Sequence, residues 1–211
     1  MMDNRGILVV VSGFSGAGKG TLIKRLMEKY DNYSLSISAT TREPRPGEEH
    51  GREYFFHTKR EFEELILQDA LIEYARYVDN YYGTPKAYVE KQLSLGKDVI
   101  LEIEIQGALK VKEKLPETLL LFVTPPSAQE LKRRLVGRGT ESMEVIESRL
   151  SRAFEEAQGM EKYDSILVND QIEDCVDQMH AVIQSQHCKT ENCRDFIRKI
   201  TGEIAVFKKG E

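Results

Sequence analysis

The chain has little of what builds disulfide scaffolds or membrane spans. It contains no tryptophan and only three cysteines, Cys175, Cys188 and Cys193, all late in the sequence. Three cysteines make no disulfide framework, so we expect a protein of the reducing cytoplasm. No apolar run approaches the roughly 18 residues of a membrane span. The first apolar run, about seven residues long, is also too short for the core of a signal peptide.

An excess of positive charge is absent as well. The formal net charge is −5, which does not favour broad binding to nucleic acid or to anionic membranes. The apolar fraction of 40% and the charged fraction of 31% are typical of a globular protein. At 211 residues the chain is long enough for one large core that carries inserted lobes.

Apolar strand patterns alternate with helical patterns along most of the chain. The strand patterns cover residues 7–13, 98–105, 118–124 and 165–169, with helical three-and-four spacing between them. This alternation predicts a three-layer α/β core with a parallel sheet, formed by residues 5–33 and 85–184. Residues 34–84 break the rhythm and are interpreted as an inserted mixed α+β lobe. The glycine-rich stretch 137–145 suits a small lid, and residues 185–211 form a C-terminal extension of unknown role.

A phosphate-binding loop follows the first strand. The stretch GFSGAGK matches G-x-x-x-x-G-K between a strand and a helix, where backbone N–H groups and the helix N-terminus can cradle phosphates. A glycine-rich turn with a solvated lysine is the alternative. Gly20 departs from the usual Ser or Thr, so magnesium would depend on water, phosphates and either Thr21 or an acidic residue of the second strand. The candidate ATP-binding residues here are Gly13, Phe14, Ser15, Gly16, Ala17, Gly18, Lys19, Gly20 and Thr21.

A second anion site is indicated in the inserted lobe. Arg42 and Arg45 stand three residues apart in TTREPRPGE, and planar guanidinium groups suit a phosphate monoester. Tyr54 and Tyr82 offer hydroxyl groups to the same phosphate. Taken singly, a solvated loop for the arginines and simple packing for the tyrosines are the better interpretations.

Seven ordered motifs give the chain a family resemblance. The cradle, SISATTREPRPGE, YFF, LIEYA, NYYGTP, ILEIEIQGA and RLVGRGTE together resemble guanylate kinase over roughly residues 6–183. The resemblance implies a P-loop kinase core that binds ATP with Mg²⁺, an inserted lobe that binds GMP, and a lid that closes over both. It implies the reaction ATP + GMP ⇌ ADP + GDP.

The resemblance also implies roles for individual residues. Glu73 would face guanine, whose N1–H and N2–H₂ groups a carboxylate can accept. Asn169 would lie near the adenine of ATP, or alternatively cap the next helix. Lid-side arginines would stabilise the transferring phosphoryl group, together with Lys19 and Arg42. These arginines are Arg134, Arg138 and Arg149. The GMP-binding set is Ser38, Arg42, Arg45, Tyr54, Glu73, Tyr82, Thr84 and Glu102.

The second core strand departs from the family pattern. Glu102 and Glu104 stand where family members commonly carry aspartates, and a period of two places both on one strand face. Glu102 would reach toward GMP or toward water on the metal, but its longer side chain leaves the exact contact open.

Three other functions remain compatible with parts of the sequence. They are a kinase of the same fold acting on another nucleotide or sugar phosphate, a non-catalytic guanylate kinase-like interaction module, and a P-loop NTPase switch. Beyond residue 184 the resemblance fades. His187, Cys188 and Cys193 match no strong zinc pattern. The last residues suit a helix and a strand, packed on the core or on a second subunit of a homo-oligomer. The alternative is a partly ordered extension.

Overall fold

The computed structural model describes residues 5–77, 79–137 and 142–209. These residues form nine strands and eight α-helices. The strands are β1 (Leu8–Gly13), β2 (Tyr33–Leu35), β3 (Ala39–Thr40), β4 (Phe55–Phe56), β5 (Leu71–Tyr77), β6 (Asn80–Pro85), β7 (Asp98–Glu102), β8 (Leu119–Thr124) and β9 (Ser165–Val168). The helices are α1 (Lys19–Lys29), α2 (Lys59–Leu67), α3 (Lys86–Ser94), α4 (Ile105–Lys114), α5 (Ala128–Gly137), α6 (Met143–Ala157), α7 (Ile172–His187) and α8 (Arg194–Ala205).

The core is a parallel sheet of strand order β2-β7-β1-β8-β9. Its central strands are buried on both faces, which explains their continuous apolar sequences. The chain crosses the sheet toward the β2 edge when it passes from β1 to β2. It crosses toward the β9 edge when it passes from β7 to β8. Right-handed crossovers therefore put α1 and α4 on opposite faces. The predicted three-layer α/β core is confirmed.

A smaller mixed sheet of order β4-β3-β6-β5 lies in the predicted lobe. It combines a parallel pair, β3 with β4, and antiparallel pairs of β6 with β3 and β5. Helix α2 buries Phe62 against Ala39 and Leu71 of this sheet. Strand β2 pairs with β7 in the core sheet, and β6 ends at Pro85. The change from one sheet to the other thus falls between Leu35 and Ala39.

One strand prediction is wrong. Strand β7 ends at Glu102, not at residue 105, and Glu104 is the N-cap of α4. The expected common strand face for Glu102 and Glu104 therefore does not exist. Pairing with β1 stops at Val11 and Glu102, and one residue further on the Ser12 hydroxyl donates to the Ile103 carbonyl oxygen at 2.7 Å. A side-chain hydrogen bond thus takes the place of the sheet ladder.

The C-terminal extension is helical where the structure describes it. Helix α7 continues to His187, whose Nε2 lies 2.9 Å from the buried Asp98 carboxylate. Helix α8 follows, and the predicted final strand is instead a 3₁₀ turn, Val206–Lys209. In the described part of the chain no helix is long and apolar enough to cross a membrane. The lid prediction and Arg138 fall partly or wholly on residues 138–141, which lie outside the described residues.

Candidate active site

The loop between β1 and α1 is shaped for close backbone packing. A Cβ at Gly13 would stand 2.1 Å from the carbonyl oxygen of Val123, so only glycine fits. Gly18 is the N-cap of α1 with φ of 90°, a left-handed conformation that favours glycine. The loop therefore delivers its N–H groups to the N-terminus of an eleven-residue helix, the geometry that binds phosphate groups.

Lys19 reaches back over this loop. Its Nζ donates to the carbonyl oxygen of Gly13 at 2.7 Å and to that of Phe14 at 3.2 Å. These bonds hold the ammonium group above the loop, where it can neutralise phosphate charge.

Two of the three predicted lid-side arginines contact the loop. Arg134 donates to the carbonyl oxygen of Asn169 at 2.8 Å, while the Asn169 amide donates to that of Ala17 at 2.8 Å. Arg149 donates to the Ser15 hydroxyl at 2.6 Å. The N-cap of α7 is Gln171, so Asn169 does not cap that helix. The structure thus gathers Arg134, Arg149 and Asn169 around the P-loop.

Arg42 is held by several contacts within the inserted lobe. It donates two hydrogen bonds to Glu48, at 2.9 and 2.8 Å, and its guanidinium lies 5.3 Å from the Tyr54 ring centroid. The rings of Tyr54 and Tyr82 meet edge to face at 6.1 Å. Arg45 is exposed and contributes its backbone N–H to Glu48 at 2.8 Å. Arg42, Tyr54 and Tyr82 therefore form one cluster, and Glu48 holds the Arg42 side chain and the Arg45 backbone beside it.

Glu73 on β5 is a buried carboxylate. It is only 8% exposed, and the Thr84 hydroxyl of β6 donates to its Oε1 at 2.7 Å. Burial raises the pKa of Glu73 above its ordinary value, although Thr84, Lys110 and Lys114 oppose that rise. A buried carboxylate with one oxygen already hydrogen-bonded can accept hydrogen bonds from a ligand with its other oxygen.

Two cavities meet at Glu102, at the end of β7. One, of about 260 Å³, is lined by P-loop residues including Lys19 and Thr21. The other, of about 160 Å³, is lined by lobe residues including Ser38, Tyr54 and Thr84. Glu102 lines both cavities, and a Cβ on Gly20 would stand 3.8 Å from its Oε2. Loss of surrounding water raises the pKa of Glu102, and Glu104 adds to this while Lys19 opposes it.

Comparisons with known proteins agree with this geometry. The family model described as guanylate kinase matches residues 5–186. The chain is 50% identical over 200 residues to the guanylate kinase of Oceanobacillus iheyensis, covering 95% of this chain and 97% of that protein. It is 49% identical to that of Caldanaerobacter subterraneus subsp. tengcongensis, covering 96% and 98%. This chain belongs to the guanylate kinase family.

A solved structure supports the same assignment. The guanylate kinase from Anaplasma phagocytophilum superposes with a TM-score of 0.69 at 32% identity, covering 90% of each chain. The P-loop kinase fold expected from the guanylate kinase resemblance is thereby confirmed.

Sequence reasoning missed two carboxylates that hold predicted site arginines in place. Glu48 orients Arg42, and Glu130 accepts from Arg134 Nε at 2.7 Å. Arg133 and Arg134 lower the pKa of Glu130 to about 2. The spacing of four between Glu130 and Arg134 on one helix was the available signal for that pair.

Proposed function

We propose that this chain transfers the γ-phosphoryl group of ATP to GMP, with ATP on the P-loop and GMP in the inserted lobe. The observation that carries this arrangement is the position of Glu102, which lines both cavities. A donor phosphate on one side of Glu102 and an acceptor phosphate on the other would be close enough for direct transfer. Phosphoryl transfer depends mainly on such positioning and on charge stabilisation.

The donor side of the proposal uses the P-loop. Backbone N–H groups of residues 13–21 would hold the β- and γ-phosphates, with Lys19 neutralising their charge. Asn169, hydrogen-bonded to the loop at Ala17, would border the adenine end of ATP.

The acceptor side divides between phosphate and base. Arg42, Arg45, Tyr54 and Tyr82 would bind the GMP phosphate, because guanidinium and phenol groups all donate to phosphate oxygens. Glu73 would accept from guanine N1–H and N2–H₂, while Ser38 and Thr84 would donate to O6. Adenine lacks that donor pair, so it would leave a buried carboxylate unsatisfied at a cost of about 1–3 kcal/mol.

Positively charged side chains on three sides would stabilise the negative charge of the transferring phosphoryl group. Lys19 lies on the donor side, Arg42 on the acceptor side, and Arg134, Arg138 and Arg149 come from the lid side. Closure of lobe and lid would exclude water and so suppress hydrolysis of ATP. The proposal needs no general base.

Magnesium is part of the proposal as an ion carried largely by phosphates and water. Within the described residues no group of three or more His, Cys, Asp or Glu side chains could hold a metal ion. The Thr21 hydroxyl and the Glu102 carboxylate line the P-loop cavity, and Mg²⁺ prefers oxygen ligands, so these residues fit a phosphate-bound ion. Bound magnesium would neutralise phosphate charge and orient the γ-phosphate.

ATP and GMP are accordingly the proposed partners, and the cytoplasm is the proposed location. Nucleic acid and membrane surfaces are not proposed partners, because a net charge of −5 supplies no general attraction to either.

A coupled assay for ADP with each nucleoside monophosphate tests the function. We expect turnover with GMP and little with AMP, CMP or UMP. Lys19→Ala should lower kcat/KM by about 10²-fold or more. Lys24→Ala, on the exposed face of the same helix, should behave as wild type and is the matched control. An absence of ADP release with GMP would overturn the proposal, since an interaction module would give that result. Preference for another monophosphate would overturn the assignment of the acceptor.

A further inference from the structure

Gly107 occupies an unfavourable position for a glycine. It lies in the first turn of α4, and glycine is a poorer helix former than alanine. The residue has no part in the phosphate or guanine contacts proposed above. Its presence inside a regular helix therefore needs a reason in what the helix touches.

The helix touches Glu73 at this point. A Cβ built on Gly107 would stand 3.4 Å from Glu73 Oε2 and 3.4 Å from Ile103 Cδ1. Since Gly107 belongs to the core helix α4 and Glu73 to lobe strand β5, the bare face of the glycine lies at a junction between core and lobe.

The oxygen in question is the one available for a ligand. Thr84 already donates to Oε1 of Glu73, whereas Oε2 has no hydrogen-bond partner among the described residues. The buried, unpartnered side-chain atoms of the described chain do not include Oε2, so this oxygen keeps some contact with solvent. One oxygen of Glu73 is therefore fixed, and the other is open beside Gly107.

We propose that Gly107 is a positioning residue for base recognition: its missing side chain leaves Glu73 Oε2 the space in which to accept hydrogen bonds from guanine. This inference rests on the proposed function. A methyl group at this position would reach van der Waals contact with Oε2 and with Ile103 at once. It would fill the space beside Oε2 without moving the carboxylate, and a guanine donor kept out of that space would lose the distance and angle on which a hydrogen bond depends steeply.

The experiment compares two helix glycines by substitution with alanine. Gly107→Ala should raise KM for GMP about fivefold or more while leaving KM for ATP unchanged. Gly202→Ala in α8 is the matched control, because no atom lies within 4 Å of a Cβ there. Both substitutions favour helix formation, so both variants should melt at or above the wild-type temperature. An unchanged KM for GMP in Gly107→Ala would overturn the inference.

A double-mutant cycle shows whether Gly107 acts through Glu73. In a Glu73→Ala background, Gly107→Ala should add nothing further to KM for GMP. Additive effects would mean that the glycine acts elsewhere, for example only through packing on Ile103, and would contradict the inference. Failure of the proposed function looks different, because the wild-type protein itself would then release no ADP with GMP.

Discussion

Glu73 combines two properties that rarely occur together on a carboxylate. It is buried, and its partner Thr84 is a neutral hydroxyl instead of a cation, so desolvation outweighs the groups that favour ionisation and its pKa is raised. A group in that state gains strongly from a ligand that donates hydrogen bonds.

Replacing Glu73 by glutamine tests this directly. The amide nitrogen would face a guanine donor with another donor, so we expect KM for GMP to rise about 10- to 100-fold, equivalent to the cost of about 1–3 kcal/mol for an unsatisfied buried group. KM for ATP should not change. Steady-state kinetics at saturating ATP measure the effect, and Glu63→Gln on the exposed side of α2 is the control. Equal kinetics in the two variants would remove Glu73 from base recognition.

The pH dependence has a definite sign. Because burial raises the pKa of Glu73 above 4.5, the carboxylate takes up a proton earlier than an exposed one as the pH falls. The protonated group loses acceptor capacity, so kcat/KM for GMP should decline on the acid side. The Glu73→Gln variant has no group to titrate there and should lack that part of the profile.

Residue identities in the site were partly accessible from the sequence. Ser38, Tyr54, Thr84 and the P-loop stand in motifs, and the structure places them around the two cavities that Glu102 lines. Glu48 and Glu130 were not found, because the chain has 35 acidic residues and spacing alone does not say which of them an arginine will meet. Burial, which raises the pKa of Glu73, is likewise a property of the packed lobe.

At the scale of elements, long buried strands were predictable and strand ends were not. The run ILEIEI alternates in a way that fits a strand throughout, yet β7 stops at Glu102. The cause lies at the neighbouring strand: β1 continues to Gly13 in its pairing with β8, but its pairing with β7 ends at Val11, and the Ser12 hydroxyl then donates to the Ile103 carbonyl oxygen. Local alternation cannot report where a partner strand ends.

Helix α2 provides a test of a local signal in the lobe. Thr58 and Glu61 form a capping box: the threonine side chain accepts from the Glu61 N–H, and the glutamate side chain accepts from the Thr58 N–H. Thr58→Ala should lower the free energy of unfolding by about 1 kcal/mol in urea denaturation. Thr201→Ala, at an exposed position inside α8, should not destabilise the protein. Equal stability of the two variants would show that the cap contributes nothing.

At the scale of the whole molecule, α8 lies beside the core but buries no side chain in it. None of its 12 residues is buried, and a helix of that length is marginal in water by itself. Its apolar side chains follow helical spacing and form a stripe on the surface. The stripe consists of Phe196, Ile197, Ile200 and Ile204, with exposed fractions of 41%, 38%, 36% and 57%, and the 3₁₀ turn that follows adds Phe207, 85% exposed.

We expect a second copy of the chain to cover this stripe. Phe196 and Ile204 lie four residues on either side of Ile200, so two antiparallel helices would present matching apolar side chains to each other about a twofold axis. Ile200→Asp should therefore shift the protein from dimer to a monomer of 24.2 kDa in sedimentation velocity. Turnover with GMP should be unchanged, because every residue proposed for the site comes from one chain. Gly202→Asp, on the opposite face of α8, should remain dimeric, and a wild-type protein that sediments as a monomer at all concentrations would refute the pairing.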